Sequence, residues 1–267
     1  MEIKEIQVKS CLNESKITDY VINPYTGCQH GCAYCYATFI KRFQHIDSEW
    51  GKFVYVKKNC PKLLEKELAS SNPGNIWLSS VTDCYMPLEE KYGLTRKILE
   101  ILNNSPRKKD FPVEVLTKSS LVKRDFDLIK LLDAELGISI NTLDEKVSRI
   151  LEPLASSPLE RVRALKEAKE KGIQVYAFIS PVMPEITDLE EIFRALSFCD
   201  YAYIELLNTR KYIVDRLMPV IEREFPKLVA SFRGYIANPA EFYLKTESEA
   251  KALEKKYGLK VKKIIFH

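Results

Sequence analysis

The residues best suited to chemistry crowd into one stretch, Asn23-Pro-Tyr-Thr-Gly-Cys28-Gln-His-Gly-Cys32-Ala-Tyr-Cys35-Tyr-Ala. Three of the seven cysteines fall within eight positions there, while Cys11, Cys60, Cys84 and Cys199 are scattered. Clustered thiols in a chain without a secretory signal point to metal or redox chemistry, and the odd count argues against a disulfide framework. Three thiolates in one loop suit three corners of an iron–sulfur cube. Such clusters usually take four cysteines, so a missing fourth ligand leaves one iron open to a substrate or cofactor. Gly27 and Gly31 let the backbone wrap closely. The competing arrangement is a zinc knot on Cys28, His30, Cys32 and Cys35, because thiolate and imidazole suit zinc equally well. Against it, structural zinc generally joins ligands distant in sequence, and the Cys28–His30 spacing is tight for a tetrahedron.

A loop of this kind needs a rigid frame. Tyr20–Pro24, Asn75–Ser80, Val113–Thr117, Leu136–Ile140, Ile173–Ile179 and Tyr201–Leu206 read as buried strands. Between them lie helix patterns at Leu94–Leu102, Asp125–Leu132, Pro158–Lys171, Leu189–Phe198 and Tyr212–Phe225. In the third of these, Val162, Leu165 and Ala168 recur among Lys and Glu, which predicts a surface helix. Six such units predict an α/β fold, a parallel sheet with crossover helices outside. They are too few for a closed eight-stranded barrel and fit an open, partial (β/α)6 barrel of the TIM type. The cysteine loop follows the first strand, at the C-terminal end of the sheet where α/β enzymes place their chemistry. The expected organisation is an N-terminal segment over 1–19 packing on the barrel, the barrel over 20–230, and a short C-terminal extension over 231–267. In that extension an acidic helix pattern (Glu247–Tyr257) precedes a basic strand (Leu259–Phe266), read as an appended strand-helix-strand piece with a solvated Lys-rich face.

Composition sets the outer bounds. With 267 residues, 46% hydrophobic and 29% charged, the chain is neither disordered nor collagen-like. A formal charge of +4 permits a nucleic-acid partner without requiring one. No apolar run reaches the roughly 18 to 20 residues that span a bilayer, and Met1–Ser10 lacks the apolar core of a signal peptide. The expectation is a cytoplasmic protein with no membrane partner.

The spacing Cys-x3-Cys-x-Tyr-Cys after a first strand resembles the radical S-adenosylmethionine (radical SAM) superfamily. The longer string is similar to its spore photoproduct lyase-like branch, also called DNA repair photolyase-like. Ser80-Val-Thr-Asp83 with Pro87-Leu-Glu, Leu116-Thr-Lys118-Ser, Arg124-Asp125, Ile138-Ser139-Ile-Asn141, Leu151-Glu-Pro153 and Ser180-Pro-Val-Met-Pro184 extend the likeness over most of the chain. The resemblance implies a [4Fe–4S] cluster on Cys28, Cys32 and Cys35, with SAM chelating the open iron through its amino and carboxylate groups. Reductive cleavage of SAM would yield a 5′-deoxyadenosyl radical that abstracts hydrogen from a substrate. By the same resemblance Tyr34 lies along the adenine, and Thr82 and Asp83 meet the SAM amino group. Lys118 and Ser139 hold the carboxylate and ribose, and Asn141 is a further ribose contact. Read as residues alone, Asp83 equally suits an Asx turn or helix cap, and Lys118 a solvated loop. A low-potential electron donor of the flavodoxin or ferredoxin type and oxygen sensitivity are also implied.

One departure stands out. Where the lyase carries a hydrogen-returning cysteine, this chain has Ser80, whose O–H bond is too strong for that task. Cys84 is the nearby thiol, either a catalytic group beside the substrate or a plain buried cysteine. Glu205, Asn208 and Arg210 close the sixth strand and would face the opening; His45 reads as an exposed helix-end residue. Three functions therefore stay open. They are a radical enzyme acting on nucleic acid, one acting on a peptide or small metabolite, and a non-catalytic, zinc-stabilised binding module.

Overall fold

Along the central strands apolar residues recur every second position, and this period assigns each strand two faces. Val113, Val115, Leu136, Ile138, Val175, Ala177, Ala202 and Ile204 are buried on one face. They share one continuous core with Leu165, Ala168, Ile192 and Phe193 from the covering helices. The residues between them are Glu114, Leu116 and Lys118, then Glu135, Gly137 and Ser139, then Tyr176, Phe178 and Ser180, then Tyr201, Tyr203 and Glu205. These line the opposite, concave face, several of them only half-buried.

The computed structural model describes residues Met1–His267. Eleven strands form: β1 (Glu2–Ile6), β2 (Leu12–Glu14), β3 (Tyr20–Ile22), β4 (Tyr25–Thr26), β5 (Phe53–Lys57), β6 (Ile76–Leu78), β7 (Val113–Thr117), β8 (Glu135–Ile140), β9 (Val175–Val182), β10 (Tyr201–Leu206) and β11 (Val261–Ile265). The main sheet has eight strands in the order β11-β10-β9-β8-β7-β6-β3-β2. Its neighbours from β3 to β11 pair in parallel, and β2 alone runs antiparallel, against β3. Six parallel strands from β3 to β10, each crossing over through helix, make the open partial (β/α)6 barrel. A second sheet, β1-β5-β4, braces the cysteine loop from outside.

Several expectations need correction. Cys11 and Cys60 are joined in a disulfide, so one covalent cross-link exists despite the odd cysteine count. It ties the segment before β2 to helix Cys60–Ser70, whose Glu67 carboxylate accepts the Cys11 and Leu12 N–H groups. The tail has no leading strand. Helix Pro239–Tyr257 begins well before the acidic stretch, and β11 joins the main sheet beside β10 as its edge. Helix Pro158–Glu170 is less superficial than its charge pattern implies, for Arg161 is fully buried on its apolar face. β1 alternates charge with isoleucine and β4 is two residues long, so neither presents an apolar run, whereas β5 does carry one, Phe53-Val-Tyr-Val, that sequence reasoning missed as a strand.

Candidate functional site

The cysteine loop leaves β3 and β4 and is pressed against β5. A Cβ on Gly27 would sit 2.5 Å from the Phe53 carbonyl, and one on Gly51 would sit 2.9 Å from the Gly31 Cα. Both glycines, and Gly31 itself, have positive φ, so the turn that gathers the thiols requires them. Cys28, Cys32 and Cys35 are all free. The Cys35 N–H bonds the Cys32 carbonyl at 3.2 Å, folding the last four residues of the motif into one turn. Burial pushes all three thiols up from their ordinary pKa, so forming the thiolates requires a metal to displace the protons.

The zinc arrangement finds no support in this geometry. His30 is buried with its Nδ1 3.4 Å from Asp83 Oδ2, facing that carboxylate. No three His, Cys, Asp or Glu side chains converge on a point that one ion could occupy.

Asp83 realises the Asx-turn reading. Its Oδ1 accepts from the Tyr85 N–H at 2.8 Å and the Thr117 hydroxyl at 2.7 Å, and its Oδ2 from the Lys118 N–H at 2.8 Å. Burial opposes its charge, but His30 and these donors win and lower its pKa to about 2. The carboxylate thus locks the loop after β6 to the end of β7 and to the cysteine loop. Thr82 performs a similar task, its hydroxyl donating to the Gly27 carbonyl at 2.6 Å. Cys84 lies wholly within the main core. Burial pushes its thiol up. Ser80, at the rim, binds Asn23 through its hydroxyl at 3.4 Å and Tyr36 through its carbonyl.

Lys118 and Ser139 meet at the strand ends, and Asn141 follows two residues after Ser139. The Lys118 Nζ reaches the Ser139 hydroxyl at 2.5 Å and stands 5.8 Å from the Tyr34 ring centre. Asn141 is 1% exposed, yet neither atom of its amide has a partner. An orphaned buried amide is costly, and Asn141 lies two residues beyond Ser139, whose hydroxyl meets the half-buried Lys118. Tyr34 is fixed by a bond to Glu152, which also receives Arg161 and lies 3.9 Å from Lys118. Burial works against the Glu152 charge, and Arg161 and Lys118 overcome it and keep the carboxyl below the ordinary range.

At the open side, Ser180 donates to Glu205 at 2.5 Å, and His267 contacts the other Glu205 oxygen at 2.9 Å. The Ser180–Pro181 bond is cis. Asn208 and Arg210 stay local, the Asn208 side chain accepting the Arg210 N–H. His45 is exposed, as expected. Sequence reasoning missed Arg161, Arg216 and the ring pair Phe178–Tyr203, took His30 only as a zinc ligand, and met Glu152 only inside a motif. Of the missed residues only Arg161 had a readable signal, a charge one turn before Leu165 on the apolar stripe.

The comparisons with known proteins follow this geometry. The family model described as the Radical SAM superfamily matches residues 22–223. An uncharacterized protein of Methanocaldococcus jannaschii is 39% identical over 214 residues, 79% of each chain. An uncharacterized protein of Acidianus two-tailed virus is 31% identical over 210 residues, covering 72% of this chain and 68% of that one. A radical SAM Nα-GlyT isomerase of a Pseudomonas phage is 25% identical over 196 residues, covering 72% of this chain and 38% of that one. Among solved structures, spore photoproduct lyase complexed with dinucleoside spore photoproduct superposes with a TM-score of 0.68 at 16% identity, over 99% of this chain and 82% of that one. The fold is therefore of the spore photoproduct lyase type. With its three-thiol loop, its partial barrel and a family match from β3 into the helix after β10, the chain belongs to the radical SAM superfamily.

Proposed function

We propose that this protein is a radical SAM enzyme acting on a substrate that enters the open side of the barrel, and that the substrate is a nucleic acid. The observation that carries the first part is the approach of the loop of three free thiols, through Tyr34, to Lys118 and Ser139, with the unpartnered amide of Asn141 two residues further on. In this reading Cys28, Cys32 and Cys35 hold a [4Fe–4S] cluster. Tyr34, Lys118, Ser139 and Asn141 hold SAM, and Asp83 and Thr82 keep the loops around them in place. Cluster and SAM, when bound, supply one-electron sulfonium cleavage and a carbon radical for hydrogen abstraction. The chain's own residues bind and orient: Lys118 offers its cation to a carboxylate, Asn141 its amide to hydroxyls, and the core behind them excludes water. A low-potential donor of the flavodoxin or ferredoxin type would deliver the electron, and the reading places the enzyme in the cytoplasm. Residues 1–19, 20–230 and 231–267 serve in it as brace, barrel and edge extension.

Nucleic acid is favoured over a peptide or small metabolite by the concave face beside Lys118 and Ser139. Phe178 and Tyr203 stand in lateral register with Ser139, their ring centres 6.2 Å apart. The Lys262 Nζ lies 3.2 Å from the centre of the Tyr201 ring, two residues earlier on the same face. Half-open rings next to a basic edge suit stacked bases and their phosphates. Repair by the lyase route has no support, because Ser80 replaces the needed thiol and Cys84 is enclosed in the core. The reaction class therefore extends to other radical transformations, isomerisation included.

The test is anaerobic. Protein reconstituted with iron and sulfide is given SAM and dithionite, and 5′-deoxyadenosine is assayed beside a Cys32→Ala control. Product in the wild type alone is expected, increased by single-stranded oligonucleotides. Absence of product, with zinc bound, overturns the enzyme reading; product unaffected by any oligonucleotide overturns the nucleic-acid part.

A further inference from the structure

Two buried hydrogen-bond donors approach the cysteine loop and find no acceptor. Arg216, in helix Lys211–Glu224, donates through Nη2 to the carbonyl of Gly31 at 3.0 Å, directly before Cys32. Gly31 is itself held by its close approach to Gly51, so the guanidinium has a fixed anchor. Its Nη1 is buried and unpartnered. Trp50 comes from the other side. It is 7% exposed and packs in one apolar cluster with Cys28 and Cys35. Its indole N–H has no hydrogen-bond partner. A buried guanidinium nitrogen and a buried N–H, each lacking an acceptor, are both costly. Arg216 borders the loop at Gly31, next to Cys32, and Trp50 packs with Cys28 and Cys35.

We infer that Arg216 and Trp50 set the reduction potential of the cluster held by Cys28, Cys32 and Cys35. The inference rests on the cluster reading given above. Reduction adds one electron and makes the cluster–thiolate assembly one charge more negative, with no bond made or broken. A cation and an N–H dipole beside the cysteine loop stabilise that more negative form and raise the potential. The effect is large because the surroundings are shielded from water. Both are positioning residues, acting on the electron that the low-potential donor must deliver.

The experiment is a redox titration of the reconstituted full-length protein without SAM, using dithionite and following the reduced cluster by electron paramagnetic resonance. Arg216→Gln is expected to lower the reduced-to-oxidised ratio at fixed potential about tenfold, a shift of about 59 mV for a one-electron couple. Trp50→Phe keeps the ring and should shift in the same direction, while Arg216→Lys stays near the wild type. Lys211→Gln, removing an exposed charge from the same helix, should change nothing. Arg216→Gln and Trp50→Phe titrating with the wild type at full iron content would overturn the inference. Should Arg216→Gln take up no iron, Trp50→Phe decides: a lowered potential supports the inference and an unchanged one overturns it. A wild-type chain that binds no cluster sinks the proposed function and this inference with it, whereas a normal cluster with unmoved potentials sinks the inference alone.

Discussion

Glu152 shows how much one residue organises here. It receives Tyr34, Arg161 and Ser148, lies within ion-pair range of Lys118, and is shut off from water together with Arg161. Arg161 also bonds the Ser156 and Ser139 carbonyls at 2.7 and 2.9 Å, so the pair stitches the end of β8 to helix Pro158–Glu170. Breaking a buried pair by removing one partner costs about 3–5 kcal/mol, because the remaining charge is uncompensated. Glu152→Gln should therefore lose stability on that scale in urea denaturation, and adding Arg161→Met should restore much of it. A single mutant within about 1 kcal/mol of the wild type would show that the pair carries little of the fold. Asp83 conveys a related lesson. Its sequence context allowed both a ligand contact and an Asx turn, and the backbone path after β6 chose the turn.

At the scale of elements, the strand runs with strict alternation were legible and the edge pieces were not. β7 and β10 fall where the apolar period places them, since a strand covered by helices must present Val, Ile or Leu to them. β5 buries Val54 and Val56 against Leu88 and Leu94, yet it lies outside the main sheet, paired with β1 and β4. At the end of β5, Lys57 is drawn into partly buried surroundings, and burial lowers its pKa from 10.5 to about 8. Between these values the unfolded chain holds a proton that the folded one has released, so unfolding free energy should rise with pH across that window. Below pH 8 the folded state bears the full cost of charging the ammonium. Lys57→Met should thus be more stable than the wild type at pH 7 and should remove part of the rise between pH 8 and 10.5. Parallel stability–pH curves for the two proteins would contradict this. Gly137 belongs to the same scale: Tyr176 lies across it where a Cβ would stand, and stacks at 5.2 Å on Tyr201 to floor the concave face.

For the molecule as a whole, closure comes from both ends of the chain. β11 adds the last parallel strand beside β10 and carries Lys262 onto the Tyr201 ring, while His267 reaches Glu205 at the rim. At the other end, the Cys11–Cys60 bond closes a loop spanning a sequence separation of 49 residues. Constraining the unfolded chain over such a loop contributes about 2–4 kcal/mol. The double mutant Cys11→Ser/Cys60→Ser should lose that amount in denaturation while keeping its three loop thiols able to bind iron. Unchanged stability would mean the N-terminal segment holds its place through Glu67 and strand pairing alone.

The amino-acid sequence by itself determined the thiol spacing, the glycines that let the loop turn, and the order of the parallel strands. Each follows from local rules: the reach of a short loop, the positive φ of glycine, and the period of a helix-covered strand. Tertiary structure alone decided which charges meet. Arg161 and Glu152 are 9 residues apart on either side of a turn, and Arg216 reaches Gly31 across 185 positions. The concave face likewise gathers Ser139, Phe178 and Tyr203 from three strands. Such meetings depend on strand register and helix placement summed over the whole barrel, and no window of sequence contains that sum.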